Sequence, residues 1–367
     1  ELRRRVIYNA YRGLVDVTDA GGFGRFYGPA GEARVPGVEY LLAVRTPEGA
    51  STTSVLLQIP AHFDAKNPCL LAVASSGSRG IYGALPTAAE WGLKRGCAVV
   101  HTDKGTGMGV WDVDRGRGYR IDGSTTDDPS DPLITFAPPV LDGLAEVKSD
   151  APHSMLFKHA HSGLNPEADW GVYLLQAIRV AIELLNAETG LRGKQRLTPQ
   201  NTLILAAGIS NGGAAVLRAL EADRAGWIDG ALASEPNAIV HGRTQGLSIR
   251  SGERLLTETG IALYDYTGLH YLYQPCAVLA EPDPTAGFHA ATAASRAKLE
   301  QWCRDLQAAE MLPAGDVAAA ARAAREHLAN AGIVPEGLRI GHLNVAATLW
   351  PAIVTTYAWA YSRLPYW

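Results

Sequence analysis

Residues 201 to 222 constrain this chain more than any other stretch. An apolar run, NTLILAAGIS, passes through Gly208-Ile209-Ser210-Asn211-Gly212 straight into NGGAAVLRALEA, which has the composition of a helix. G-x-S-x-G between strand and helix is the pattern of a sharp turn that lifts a serine hydroxyl above a sheet. Side chains two positions to either side would collide in such a turn, and glycines remove them. The helix that starts there points its N-terminus at negative charge developing on a bound carbonyl oxygen. Ser210 is therefore the candidate nucleophile and the Asn211 N–H a candidate oxyanion donor. The alternative is a structural tight turn in which Ser210 is a plain helix N-cap.

The flanking segments say what kind of sheet carries this turn. Residues 38–60 hold two β-rich runs around a Pro-Glu-Gly turn and predict an antiparallel hairpin. CLLAVAS (69–75) suits a buried parallel strand. After it come the loop SSGSRGIYG, a helix around TAAEWGLKRG ending near Gly96, and a second strand, CAVVHTD (97–103). Residues 111–168, rich in Asp, Gly and Pro, are expected to run as ordered loop. Asp169 is placed to cap a helix reaching about Glu188, with Val172, Leu175, Ile178, Ile182 and Leu185 as its apolar stripe. WIDGALASEP (227–236) predicts a further strand ending in an acidic residue.

The alternation predicts an α/β fold, an α/β-hydrolase-like, mostly parallel sheet. From about 241 the texture changes to Ala-, Arg- and Glu-rich helix and then to the apolar, aromatic stretch 342–362. That reads as a helical cap inserted after the strand ending near Glu235. The expected domains are a core, 1–240, and a cap or lid, 241–367, with the last strands of the sheet missing.

Net charge is −4 and no basic block occurs, which argues against nucleic acid as a partner. No uninterrupted apolar run reaches the roughly 20 residues of a membrane span. The opening, ELRRRVIYNAYRGLVD, reads as an amphipathic helix and not a secretion signal, and the lack of an initial Met predicts a mature or trimmed product. Cys69 and Cys97 sit in apolar, strand-like runs and read as buried free thiols. Cys276 and Cys303 can pair as one disulfide or stay thiols. A pairing there would favour a secreted or periplasmic home over a cytoplasmic one.

A serine esterase also needs a second oxyanion donor, an acid and a histidine. Ser78 or Arg79, in the loop after the first parallel strand, is the candidate second donor. Glu235 can serve as the acid or simply hold the turn at Pro236. Downstream of Ser210 stand His241, His270, His289, His327 and His342, none of them after an evident late strand. His327 reads as a solvated helix residue, whereas His342 opens an apolar stretch and can reach the site. His159 and His161 form an HxH without carboxylates at ligand spacing, so no metal is expected. GTGMGV, with Gly105, Gly107 and Gly109, lacks the spacing and following helix of a dinucleotide site, so no cofactor is expected either.

Several long blocks carry a resemblance: SSGSRGIYGALPTAAEWGLKRGCAVVHTDKGTG, KHAHSGLNPEADWG, GISNGGAAVLRALEAD and IDGALASEPN. Together they resemble the D-(−)-3-hydroxybutyrate oligomer hydrolases, over essentially the whole chain. The resemblance implies a serine esterase acting on short oligomers left by polyhydroxybutyrate breakdown, with Ser210 as nucleophile and no cofactor. Members of that family are much longer, which implies that the acid and histidine lie elsewhere. A separate C-terminal chain from the same precursor is the expected partner, ahead of truncation or divergence. Arg79 would meet the terminal carboxylate of an oligomer. Trp350, Tyr357, Trp359 and Tyr361 would form an apolar wall for the substrate or merely pack the lid. A feruloyl-esterase- or tannase-like enzyme and a non-catalytic binding protein of the same fold are the competing readings.

Overall fold

The structure, a computed structural model, describes residues 35–45, 52–105, 109–139, 143–238, 249–256, 263–280, 293–334 and 336–338. The N-terminal segment read as a helix and the stretch 342–362 lie outside them. The described residues form two compact units, one up to Ala238 and one from residue 249 onward, beside the expected 240/241 boundary.

In the first unit, β1 (Gly37–Arg45) and β2 (Thr52–Pro60) form the expected hairpin, paired from Gly37↔Pro60 to Arg45↔Thr52. Then come β3 (Cys69–Ala74), α1 (Leu85–Lys94) and β4 (Ala98–Thr102). The region expected as loop holds β5 (Val110–Asp112), β6 (Arg117–Tyr119), β7 (Thr125–Thr126), α2 (Leu144–Asp150), β8 (Met155–Phe157) and α3 (Lys158–His161). The long helix α4 (Trp170–Thr189), β9 (Leu203–Ile209), α5 (Asn211–Ala222) and β10 (Gly230–Ser234) follow.

The main sheet has the order β1-β2-β4-β3-β9-β10. The β4–β3, β3–β9 and β9–β10 pairs are parallel, and β1–β2 and β2–β4 are antiparallel. The chain leaves β3 toward β4 on one side and later leaves β9 toward β10 on the other. Right-handed crossovers in opposite directions put their helices on opposite faces. The strands obey this with a two-residue period. Leu70, Ala72 and Ala74 face a core shared with α4 and α5. Leu71, Val73 and Val99 face α1 through Leu85 and Ala89. The direction of winding reverses between β3 and β9, and crevices in such sheets open there, beyond the carboxyl ends of the strands.

Several expectations are corrected. Cys69 and Cys97 are a disulfide, with Cα atoms 4.6 Å apart. Cys69 opens β3 and Cys97 immediately precedes β4, and the parallel register Leu70↔Ala98 brings the two side by side. The stretch 111–168 is not all loop. β7, β6, β5 and β8 make a four-stranded sheet over Trp111, Val113, Ile134, Phe136 and Leu156. Its strands are two or three residues long, too short to show alternation in the sequence. Asp169 makes no side-chain cap, because it ends a 3-10 turn, Pro166–Asp169, that runs directly into α4. The stripe of α4 is also rotated from the expected one. Val172 is exposed, while Trp170, Tyr173, Leu174, Ala177 and Ala181 are buried with Ile178, Ile182 and Leu185.

In the second unit, a short hairpin of β11 (Ile249–Ser251) and β12 (Arg254–Leu256) precedes α6 (Leu263–Ala277), α7 (Ala293–Ala308) and α8 (Val317–Asn330). No strand was expected there. Cys276 and Cys303 are joined as a disulfide between α6 and α7. Ala320, Ala321 and Ala324 let α8 approach Tyr273, Cys276 and Leu306 closely. Asp316 caps α8 by accepting from the Ala319 N–H at 2.6 Å.

Candidate functional site

Ser210 joins β9 to α5 with φ 58° and ψ −125°, a conformation that residues with a Cβ rarely adopt. Its N–H donates to the Ser234 carbonyl of β10 at 2.9 Å, and its own carbonyl accepts from Ala214 N–H at 3.2 Å. Its side chain makes no capping bond to α5, and the residue is exposed. An ordinary N-cap has extended φ/ψ and a hydroxyl turned back on the helix, and Ser210 has neither.

The glycines around it have steric reasons. A Cβ on Gly208 would lie 2.2 Å from the Gly212 carbonyl oxygen. On Gly212 it would lie 2.6 Å from the carbonyl oxygen of Ala74, the last residue of β3, and on Gly213 2.9 Å from that of Ser234. The start of α5 is thus wedged between the ends of β3 and β10. Glu235, directly after β10, is exposed and also has positive φ, 46°.

The loop after β3 is tied to the same turn. Asn211 Oδ1 accepts from the Gly77 N–H at 2.6 Å, and Gly77 has φ +63°. From Gly77 the chain enters a 3-10 turn, Gly77–Gly83, that contains Ser78 and Arg79. Asn211 therefore presents its backbone N–H at the start of α5 while its side chain fastens the neighbouring loop.

Behind that loop is a buried charged cluster that sequence reasoning missed. Lys104 follows β4 and is 1% exposed. Its Nζ donates to Ser75 Oγ and to the Gly77 carbonyl, each at 3.3 Å, and stands 5.0 Å from the centroid of the Trp170 ring. Burial pushes the Lys104 ammonium down to about 8, against the opposing pull of Asp103 and Glu167. Asp103, fully buried, accepts from the N–H groups of Ser54 (3.1 Å) and Gly105 (2.8 Å). Lys158, also buried, donates to the Thr52 carbonyl, and burial holds it below the usual lysine range. The one available signal was an Asp-Lys pair at the carboxyl end of an otherwise apolar strand.

The glycines read against a dinucleotide site are set by packing. A Cβ on Gly105 would lie 2.2 Å from Tyr173 Cε2, and on Gly109 2.2 Å from Phe136 Cβ. His159 Nε2 pairs with Glu167 Oε1 at 3.1 Å, and His161 Nδ1 accepts from the Phe157 N–H at 2.9 Å. Among the described residues, no group of three or more His, Cys, Asp and Glu gathers as a metal site. His101 is fully buried, its Nε2 3.0 Å from Gln58 Oε1, and burial pushes its imidazole down to about 3. His153 meets Asp114 at 2.8 Å on the surface. His327 is exposed and stacks near Tyr273 in the second unit. No described histidine is hydrogen-bonded to Ser210. His241, His289, His342, Trp350, Tyr357, Trp359, Tyr361 and the side chains of Ser78 and Arg79 lie outside what the structure describes.

The arrangement is a strained serine turn at the carboxyl end of a doubly wound sheet, and comparison with known proteins narrows it to one family. The family model described as 3HB-oligomer hydrolase (3HBOH) matches residues 1–365. The chain is 40% identical to a D-(−)-3-hydroxybutyrate oligomer hydrolase of Paracidovorax citrulli, with 99% of this chain and 54% of the relative covered. It is 39% identical to proteins of that name from Burkholderia thailandensis (99% and 54% covered) and Cupriavidus metallidurans (99% and 52%). The chain belongs to the 3HB-oligomer hydrolase family. It spans about half the length of the curated relatives it matches.

Proposed function

We propose that this chain carries the nucleophile of an α/β-hydrolase-type serine esterase that cleaves ester bonds in short (R)-3-hydroxybutyrate oligomers. The observation that carries the reading is the backbone of Ser210, held at φ 58° between glycines that leave no room for a Cβ. The sheet order and the reversal of winding between β3 and β9 support the fold assignment. Family membership and the names of the relatives support the substrate class.

In this reading Ser210 Oγ gives its proton to an imidazole, attacks the ester carbonyl and expels the alcohol end of the oligomer. Water then releases the acyl group, and no cofactor takes part. The Asn211 N–H and the Ser78 N–H would hold the tetrahedral oxyanion, and removing one such donor costs about 3 kcal/mol of transition-state stabilisation. The imidazole and its carboxylate partner are assigned to residues outside those described, on this or a companion polypeptide. The relatives' greater length motivates that assignment, and intact mass of the purified protein distinguishes the two sources. The second unit is proposed as the lid. Its disulfide and Cys69–Cys97 support an extracytoplasmic home. No described helix is long and apolar enough to cross a membrane.

The test is covalent labelling with a fluorophosphonate, followed by turnover of a panel of esters. Wild type should label and Ser210→Ala should not, and hydroxybutyrate dimers and trimers should be hydrolysed far faster than feruloyl or galloyl esters. Equal labelling of the two proteins would end the nucleophile assignment. Preference for the aromatic esters would end the substrate assignment.

A further inference from the structure

The oxyanion-side loop has more than one N–H to offer, and its bonds discriminate between them. Gly77 N–H is occupied by Asn211 Oδ1. Gly77 carbonyl is held from the interior by Lys104 Nζ at 3.3 Å. A trans peptide is planar, with its C=O and the next N–H pointing in opposite directions, and no described peptide is cis. Fixing the Gly77 carbonyl toward the buried ammonium therefore turns the Ser78 N–H away from it. Ser78 also lies in the first turn of the 3-10 segment, where N–H groups lack a partner within the turn.

We propose that Lys104 is a positioning residue: its ammonium, braced on Ser75 Oγ and the Trp170 ring, holds the Gly77–Ser78 peptide so that the Ser78 N–H meets the developing oxyanion. The inference rests on the esterase reading of Ser210 and adds to it the group that orients the second donor. Three features show that Lys104 occupies a built site. It is almost fully buried, its backbone takes a positive φ of 53°, and Gly105 beside it admits no Cβ against Tyr173. The charged groups around it are Asp103 on its own loop and Glu167 before α4. Beyond these, His159 bonds to Glu167, and Lys158 shares the field of Asp103. A neutral amine is a weaker donor than an ammonium, so the hold on the peptide should loosen as Lys104 loses its proton near pH 8.

The experiment is steady-state hydrolysis of p-nitrophenyl butyrate by the intact protein, comparing wild type with Lys104→Met and Lys104→Arg from pH 6 to 10. Lys104→Met should lower kcat about 100-fold while KM stays within about twofold, since the donor acts only on the transition state. The thermal midpoint should fall, because Ser75 Oγ, the Gly77 carbonyl and the nearby Asp103 lose a buried cation, so kcat is read well below the midpoint of every protein compared. In wild type kcat should decline as pH rises through about 8, and Lys104→Arg, which keeps its charge, should lack that decline. A kcat near wild type in Lys104→Met overturns the proposal, as does a loss that falls on KM and leaves kcat unchanged. If Lys104→Met does not fold, the pH profile decides, and a decline that persists in Lys104→Arg overturns it. Failure of wild-type Ser210 to react with a fluorophosphonate would instead remove the esterase reading. Normal labelling with unchanged Lys104→Met kinetics removes only the present inference.

Discussion

Backbone strain at Ser210 is worth about 1–3 kcal/mol against folding. Replacing it by glycine, which tolerates φ 58°, should raise the thermal midpoint even after the greater chain entropy of glycine is counted, while abolishing fluorophosphonate labelling. A lowered midpoint in Ser210→Gly would mean that the hydroxyl contributes to stability and that the strain argument is misplaced. The neighbouring glycines behave oppositely. Gly208→Ala sets a Cβ 2.2 Å from a backbone oxygen that cannot move without shifting α5. It should cost about 3 kcal/mol in urea denaturation, and a loss below about 1 kcal/mol would contradict the geometry. This part of the site was legible in the sequence because a steric demand leaves a local signature in glycines at fixed spacing. Lys104 left none. It matters through contacts with Ser75, Gly77 and Trp170, which are far from it in sequence and close only after the sheet is built.

At the scale of elements, β3, α1 and β4 were readable because two short apolar runs flank a helix-forming stretch that ends near Gly96, the alternation of a parallel sheet. What the runs did not show was that their cysteines meet, since an apolar stretch says nothing of which strand lies beside it. Cys69–Cys97 spans 28 residues, and closing a loop of that size removes about 3–4 kcal/mol of freedom from the unfolded chain. The Cys69→Ala, Cys97→Ala double variant should lose about that much stability by chemical denaturation and retain its fluorophosphonate labelling, because the pair sits at the opposite ends of the strands from Ser210. An unchanged midpoint in oxidising buffer would show that the bond does not form. The four-stranded sheet at 110–157 escaped notice for a different reason. Its strands are too brief for a pattern, and they are held together by Trp111, Ile134, Phe136 and Leu156 rather than by local preference. The rotated stripe of α4 shows the same limit: Val172 matches the period, but Ala177 and Ala181 are the residues small enough to lie against the sheet.

For the whole molecule, the buried imidazole of His101 links stability to acid. Its folded pKa, near 3, lies well below its unfolded value of 6.5, so between these values the unfolded chain binds a proton that the folded protein refuses. The stabilisation is complete above about pH 6.5 and drains away as pH falls toward 3. From pH 7 to pH 5 this one group should remove about 2 kcal/mol. Urea unfolding of His101→Gln against wild type at the two pH values should show that difference disappear. An identical slope in both proteins would mean that His101 titrates normally.

The two disulfides join each cysteine to its nearest neighbour along the chain, over separations of 28 and 27 residues, and each stays inside one unit. Four cysteines allow three connectivities, and this is the one that a chain synthesised from its N-terminus reaches without error. Of the four cysteines in this sequence only Cys69 precedes Cys97, so oxidation as Cys97 emerges favours this bond over a pairing with Cys276 or Cys303. Gradual delivery to an oxidant thus favours this pairing among the four, whereas a fully reduced chain oxidised all at once must sort these partners by chance.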